Sequence, residues 1–215
     1  MGTRRRTVLQ HFSLLAASAA LPAFANAAEA SHKTIVVLGD SLSAEYGLAR
    51  GTGWVALLSA KLAAEKRPYD VVNASISGDT TSGGRSRLPA LLQKHKPAVL
   101  IIELGGNDML RGLPLASSRD NLAAMIHAAK AAGAKVLLVG MQVPPNFGRA
   151  YVESFGAMYA DLAKSEKTGL VPFLLAGIAE KPDVADWFQA DRIHPLAKAH
   201  PFILENVWPE LKKLL

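Results

Sequence analysis

The sequence contains no cysteine. This absence excludes a disulfide framework, a zinc or iron–sulfur centre with thiolate ligands, and a cysteine nucleophile. The chain also lacks the G-x-S-x-G elbow of the α/β-hydrolases and the G-K-[ST] ending of a Walker phosphate loop. A nucleophile in this protein would therefore use oxygen or nitrogen, in some other sequence context.

A basic cluster is missing from the body of the chain, although the sequence pI is about 9.6. The densest run is Arg4–Arg6, close to the first residue. The first thirty residues carry these three arginines and one glutamate, so removing them lowers the net charge from +6 to +4. A charge this modest and scattered does not predict a nucleic-acid partner.

The first thirty residues have the layout of an export signal. The arginines are followed by an apolar run over 12–24 and then by small residues at A-x-A spacing between Ala23 and Ala30. This order is typical of a bacterial secretory signal peptide. The run is shorter than the roughly 20 apolar residues that cross a bilayer, and a retained membrane anchor is the alternative. We expect a signal peptide at 1–30, a periplasmic or secreted protein, and a single domain at 31–215.

The arginine pair leaves two export routes open. The stretch 5–10 (Arg-Arg-Thr-Val-Leu-Gln) resembles the twin-arginine pattern. An ordinary Sec signal that carries three arginines is the other interpretation.

The rest of the chain alternates strand and helix patterns. Short apolar runs predict strands at 34–38, 69–74, 98–104, 135–141 and 170–174. Helical spacing predicts helices at 53–66, 87–95, 121–132, 151–167 and 196–214, the last with a kink or break near Pro201. The third strand is apolar on both faces, which indicates that helices cover both sides. This alternation predicts one parallel sheet between two helical layers.

Four polar blocks stand where such a sheet places its functional residues. Three of them follow the first three strands and one precedes the last helix: 39–43, 77–84, 105–108 and 191–195. In an open α/β sheet, sites lie beyond the carboxyl ends of the strands. Each block taken alone is also ordinary turn chemistry.

Two of these blocks contain candidate catalytic groups. Ser41 stands at a strand-to-helix turn, where its hydroxyl would be exposed near a positive helix end. Asp191 stands three residues before His194, close enough in a tight turn to hold Nδ1 and leave Nε2 free as a base. The alternative is a helix-capping Asp191 beside a surface His194, since Pro195 suits a first helical turn.

The four blocks, taken in order, resemble the SGNH (GDSL-type) hydrolases, and especially their bacterial thioesterase I/arylesterase/lysophospholipase group. The resemblance covers nearly all of 31–215 and is carried by 38–44, 72–81, 87–92, 103–108 and 193–195. It implies a three-layer α/β/α fold with a flavodoxin-like, five-stranded parallel sheet. It also implies Ser41 as nucleophile, His194 as general base and Asp191 as the residue that orients His194. The implied oxyanion hole comprises the Ser41 N–H, the Gly78 N–H and the Asn107 side chain.

Two residues depart from the family pattern. Glu45 and Arg192 stand where relatives often have glycine. Both fall near the predicted site, so they could alter substrate preference. The resemblance implies neither a metal nor a cofactor.

The loop after Asn107 carries three apolar side chains, Met109, Leu110 and Leu113. We expect them to line an acyl-binding groove. The expected activity is hydrolysis of short- to medium-chain acyl and aryl esters, with thioesters also accessible, through an acyl-serine intermediate. A lysophospholipase, a carbohydrate O-deacetylase and a non-catalytic periplasmic binding protein are the alternatives. We expect a monomer that binds small-molecule esters and makes at most transient contact with membrane lipid.

Overall fold

The computed structural model describes residues 1–2 and 32–215. The predicted signal peptide lies almost wholly outside the described residues, and so do both export interpretations. Five strands form one sheet: β1 Lys33–Gly39, β2 Tyr69–Asn73, β3 Val99–Glu103, β4 Lys135–Val139 and β5 Gly169–Val171. The described residues also form α-helices, which are α1 Trp54–Ala64, α2 Thr81–His95, α3 Gly106–Leu110, α4 Leu115–Ala131, α5 Arg149–Glu166 and α6 His200–Lys212.

The sheet is entirely parallel, with strand order β2-β1-β3-β4-β5. This is the flavodoxin-like order, and the predicted fold is confirmed. The chain leaves β1 for one edge and then returns to the other side of β1, where Val37 pairs with Asn73 of β2 and with Ile101 of β3. A crevice opens beyond the strand ends at such a reversal.

Helices cover both faces of the sheet because the strands are apolar on both. Ile35 and Val37 pack into a core with α1 and α6, whereas Val36 and Leu38 pack into a core with α2, α4 and α5. This alternation follows from the two-residue period of a strand. Within 32–215, no helix combines the length and the apolar character that a bilayer crossing needs.

Two predicted elements have different bounds. The fifth strand ends at Val171 rather than at residue 174, because Pro172 has no N–H to continue the ladder. Helix α2 begins at Thr81 rather than at residue 87, since the Thr80 hydroxyl accepts the Gly83 N–H at 3.2 Å and caps the helix. Its glycine-rich first turn gives no apolar period to detect.

The predicted helices at 121–132 and 196–214 also differ. Helix α4 begins six residues earlier, directly after Pro114. The last segment is a 3₁₀ turn, Ala197–Ala199, followed by α6. Pro201 lies in the first turn of α6, where no N–H is needed, so it begins a helix rather than breaking one. Buried His200 accepts the Trp54 N–H through Nδ1 at 3.0 Å and fastens α6 to α1, and burial lowers its pKa.

Candidate active site

The turn after β1 presents Ser41 at the carboxyl edge of the sheet. The Asp40 carbonyl accepts the Ser43 and Ala44 N–H groups at 3.3 and 2.9 Å, and the Asp40 carboxylate accepts the Leu42 N–H at 3.0 Å. These bonds hold the turn in one conformation. The Ser41 N–H itself has no acceptor among the described residues, so it is available to a ligand.

A continuous chain of hydrogen bonds runs from Ser41 through His194 to Asp191. Nε2 of His194 lies 2.8 Å from Oγ of Ser41, and Nδ1 lies 2.7 Å from Oδ2 of Asp191. The other oxygen of Asp191 accepts the N–H groups of Ile193 and His194 at 2.9 and 3.0 Å. The bond from His194, followed by these backbone bonds, lowers the pKa of Asp191 to about 2. An ionised Asp191 fixes the Nδ1–H tautomer, so Nε2 can take the Ser41 proton.

The loop that carries these two residues is closed at its base by backbone pairing. Phe188 and Pro195 form an antiparallel bridge, and the Gln189 N–H donates to the His194 carbonyl at 2.7 Å. Asp191 therefore closes a turn of its own loop and is not a helix cap. Arg192 sits at the tip with a φ of 58°, in the left-handed region that glycine favours.

Tyr46 is a contact of His194 that sequence analysis missed. Its ring centroid lies 4.3 Å from that of the imidazole at an interplanar angle of 38°. Nε2 of Gln189 donates a hydrogen bond to the Tyr46 carbonyl at 2.9 Å, which connects the Ser41 segment to the His194 loop. The sequence offered one signal for this contact, namely an aromatic residue a few positions after the predicted nucleophile.

The three residues predicted to form an oxyanion hole, Ser41, Gly78 and Asn107, all line one cavity. Gly78 has a φ of 79°, and its N–H, like that of Ser41, has no acceptor among the described residues. The Asn107 amide donates one N–H to Oδ2 of Asp40 at 2.9 Å, which leaves its second N–H free. The next residue, Asp108, is buried and accepts the Thr81 N–H at 2.9 Å, which anchors this segment to α2.

Two buried carboxyl groups lie beneath the Ser41 turn. Burial raises the pKa of Asp40 to about 6. Burial and the charge of Asp40 raise the pKa of Glu103 well above its usual range, which favours its protonated form. Oε2 of Glu103 accepts the Ser43 hydroxyl at 2.7 Å and the Asp40 N–H at 3.3 Å. Sequence analysis missed Glu103, although it is the one charged residue of the otherwise apolar β3.

An apolar cavity of about 710 Å³ opens at this point, and its lining includes Ser41, Gly78, Asn107 and His194. Of the three side chains predicted to line an acyl groove, Met109 and Leu110 do so, whereas Leu113 lies outside the lining. Most of the remaining apolar lining comes from the segments after β4 and β5: Met141, Val143, Phe173, Leu175, Val184 and Phe188. These residues lie outside the α-helices and the strands of the sheet, so the strand and helix patterns of the sequence did not indicate them.

Within residues 32–215, no group of three or more His, Cys, Asp or Glu side chains is placed to hold a metal ion. The groups gathered at the cavity are a hydroxyl, an imidazole, a carboxylate and N–H donors. Together with the parallel sheet, these groups are typical of a hydrolase whose nucleophile follows the first strand.

Comparison with known proteins also indicates a hydrolase. Residues 37–201 match the GDSL-like Lipase/Acylhydrolase family. The chain is 55% identical over 187 residues to Esterase TesA of Pseudomonas aeruginosa, covering 87% of this chain and 92% of that protein. It is 42% identical over 186 residues to Thioesterase 1/protease 1/lysophospholipase L1 of Escherichia coli, covering 86% of each. The crystal structure of the psychrotrophic esterase EstA from Pseudoalteromonas sp., inhibited by monoethylphosphonate, is 40% identical with a TM-score of 0.79, covering 84% of this chain and 97% of that chain.

These matches extend over most of both chains and agree with the five-stranded parallel sheet flanked by helices. The protein belongs to the GDSL-like lipase/acylhydrolase family, and it is an enzyme, a hydrolase of that family.

Proposed function

We propose that this hydrolase cleaves carboxylic esters through an acyl-serine intermediate, with Ser41 as nucleophile. The observation that carries the proposal is the unbroken Ser41–His194–Asp191 hydrogen-bond chain at the mouth of an apolar cavity. Oγ of Ser41 attacks the ester carbonyl carbon while Nε2 of His194 takes the hydroxyl proton. The N–H groups of Ser41, Gly78 and Asn107 stabilise the negative charge on the former carbonyl oxygen.

The tetrahedral intermediate then collapses and a second half-reaction follows. The bond from carbon to the leaving oxygen breaks, and protonated His194 gives its proton to the departing alkoxide. A water molecule, deprotonated by His194, attacks the acyl-serine, and collapse of the second intermediate returns the proton to Oγ of Ser41. The ionised Asp191 stabilises the imidazolium in both halves.

We propose short- to medium-chain acyl and aryl esters as substrates, because the cavity lining is mainly apolar. A carbohydrate O-deacetylase stays the alternative, because the lining also holds polar side chains such as Gln142, Glu180 and Arg192. The same attack by Ser41 on the acyl carbonyl carbon could also cleave thioesters. Cleavage of acyl-CoA would be incidental in an exported protein, because acyl-CoA is a cytoplasmic metabolite.

The direct test is a panel of p-nitrophenyl esters, lysophospholipid, acyl-CoA and acetylated sugars on the purified protein and on Ser41→Ala. We expect ester turnover to fall by several orders of magnitude in the variant, because triad nucleophiles elsewhere contribute as much as about 10⁶-fold. An organophosphonate should label Ser41 alone. Labelling at another serine, or near-normal activity of Ser41→Ala, would refute the assignment and would reopen the case for a non-catalytic binding protein.

A lysophospholipase is the second candidate, and exposed apolar side chains at the cavity favour it. Tyr46, Leu110 and Ile193 line the cavity and are 50%, 51% and 44% exposed. Such a rim suits transient contact with a lipid surface, from which a single acyl chain could enter. Turnover of lysophospholipid that rises sharply above its critical micelle concentration supports this function, and turnover that stays flat there refutes the surface contact.

We further propose that the protein is exported and that residues 1–30 are its signal. The basic, apolar and small-residue stretches of the sequence support this. The mature N-terminus should fall between Asn26 and Ser31. Changing Arg5 and Arg6 to lysine should block a twin-arginine route and leave a Sec route working. Full-length protein in the cytosol of wild-type cells would refute export.

A further inference from the structure

We propose that Arg87 of α2 is a positioning residue that locks the turn carrying Ser41 to the loop carrying Gly78. Arg87 does not line the cavity, so it would act through the backbone that it holds. The inference rests on the proposed function, because the N–H groups of Ser41 and Gly78 form its oxyanion hole. Two donors can share one oxygen only if the segments that carry them keep a fixed separation.

The guanidinium reaches three acceptors on two segments, the end of β1 and the loop between β2 and α2. Its Nε donates to Oδ2 of Asp79 at 2.8 Å, its Nη2 donates to the Gly39 carbonyl at 3.3 Å, and its Nη1 donates to the Ala74 carbonyl. Only 21% of the Arg87 side chain and 11% of the Asp79 side chain are exposed. Solvent therefore competes little for these bonds, unlike those of an ordinary surface ion pair.

The Gly39 carbonyl is the junction between the two loops. Gly39 stands two residues before Ser41, and its carbonyl also accepts the Ile76 N–H at 3.0 Å. Ile76 in turn stands two residues before Gly78. One oxygen thus joins the segments that lead to both oxyanion donors, and Arg87 is the second donor to that oxygen.

Asp79, the residue after Gly78, is also held by Arg87. A Cβ on Gly83, in the first turn of α2, would lie 1.9 Å from Oδ1 of Asp79, so this carboxylate is pressed against the helix. Arg87 holds the other oxygen of the carboxylate. Nη2 of Arg111 also donates to the Gly78 carbonyl at 2.7 Å. The Gly78 loop is therefore held before its N–H donor through Ile76 and after it through the Gly78 carbonyl and Asp79.

Only arginine fits this position. Its planar fork donates in several fixed directions, whereas lysine offers one compact charge. A lysine at position 87 could keep the ion pair with Asp79 but could not also reach the carbonyls of Gly39 and Ala74. Misplacing a catalytic group by 1 Å can cost about 10²-fold in rate. We expect Arg87→Lys to lose roughly 10-fold in kcat, and Arg87→Ala to approach the full 10²-fold.

The experiment compares Arg87→Lys and Arg87→Ala with two controls, Ser41→Ala and Arg85→Lys. Arg85 lies on the same helix and is exposed, and its side chain donates to Oδ1 of Asn121 at 3.2 Å rather than to either loop. For each variant we would measure kcat and KM on p-nitrophenyl butyrate, the pH profile, the melting temperature and the inhibition constant of phenylboronic acid. Rates would be divided by the concentration of serine that an organophosphonate titrates. The boronate adduct places an oxygen in the oxyanion hole, so its affinity reports on those donors directly.

We expect Arg87→Lys to melt close to the wild type, with KM and the acid limb of the pH profile nearly unchanged. Its kcat and its affinity for the boronate should fall by the same factor, while Arg85→Lys should match the wild type. Rates within two-fold of the wild type in Arg87→Lys, beside an inactive Ser41→Ala, would overturn the role of Arg87 and leave the proposed function intact. A loss of kcat with unchanged boronate affinity would also overturn it. An active Ser41→Ala would instead refute the proposed function.

Discussion

Replacing Gly105 with alanine probes the junction between β3 and the oxyanion Asn107. Gly105 has a φ of 124°, which L side chains rarely adopt, and a Cβ there would lie 2.2 Å from the Tyr159 hydroxyl oxygen. Tyr159 is 1% exposed and donates to the Leu104 carbonyl at 3.0 Å. The methyl group of alanine must therefore strain the backbone and also displace a buried hydroxyl from its acceptor.

Both costs can be estimated. A residue held in a sparsely populated backbone region costs about 1–3 kcal/mol, and a buried carbonyl that loses its donor costs about 1–3 kcal/mol. Gly105→Ala should thus lower the free energy of unfolding by about 2–6 kcal/mol, a large part of the 5–15 kcal/mol typical of a domain. The kcat of the protein that still folds should fall too, because Asn107 is two residues away.

The assay is urea unfolding of the wild type, Gly105→Ala, Tyr159→Phe and the double variant. Tyr159→Phe removes the hydroxyl that the methyl group would strike, so in that background Gly105→Ala should cost only the backbone strain. The coupling between the two sites should be at least about 1 kcal/mol. An equal cost of Gly105→Ala in both backgrounds would show that the hydroxyl contact contributes nothing.

Three further predictions concern the donors, the cavity and the buried acids. Asn107→Ala should lower kcat by about 10²–10³ with little effect on KM, as steady-state kinetics would show, because it removes one oxyanion donor. In a chain-length series of p-nitrophenyl esters, each CH₂ buried should contribute about 0.8 kcal/mol and raise kcat/KM about four-fold until the cavity fills. Leu110→Ser should flatten the series, and Leu113→Ser, outside the lining, should not. The pKa of Asp40 is raised from 3.8 to about 6 in the folded protein, so folding takes up a proton in that window and stability falls as the pH rises through it. As the pH rises from 4 to 6, the unfolding free energy of the wild type should therefore fall relative to that of Asp40→Asn. A difference between the two proteins that stays constant over this range would contradict the buried-acid argument.

The strands and the edge that carries the site were predictable from the sequence. Buried parallel strands leave unbroken apolar runs, and the carboxyl ends of parallel strands all meet at one edge. Ser41 and Asn107 follow two such runs and Gly78 follows the partly polar edge strand β2, so the shared edge needed no knowledge of side-chain packing. Asp191 and His194 are close in sequence, and a turn alone brings them together.

Features that depend on distant contacts were not predictable. The acceptors of Arg87 lie 8, 13 and 48 residues away, and nothing in its helical setting signals them. The placement of Leu113 failed for a local reason. Helix α3 ends at Leu110, and the chain then turns at Gly112 with a φ of 63°. Leu113 consequently follows a turn that the apolar spacing of the loop does not reveal.

The two family departures, Glu45 and Arg192, both hold left-handed backbone, with φ values of 59° and 58°. Their situations nevertheless differ, because the Glu45 carboxylate accepts the N–H groups of Gly51 and Gly53 at 2.9 and 2.8 Å, whereas the Arg192 side chain forms no ion pair among the described residues. Glycine at position 45 would relieve the backbone strain, but it would also remove the carboxylate that holds Gly51 and Gly53 at the start of α1. At position 192 glycine would relieve strain and also remove a side chain from the cavity lining. Position 45 therefore couples a left-handed backbone to the start of α1, whereas position 192 couples the same conformation to the lining of the cavity.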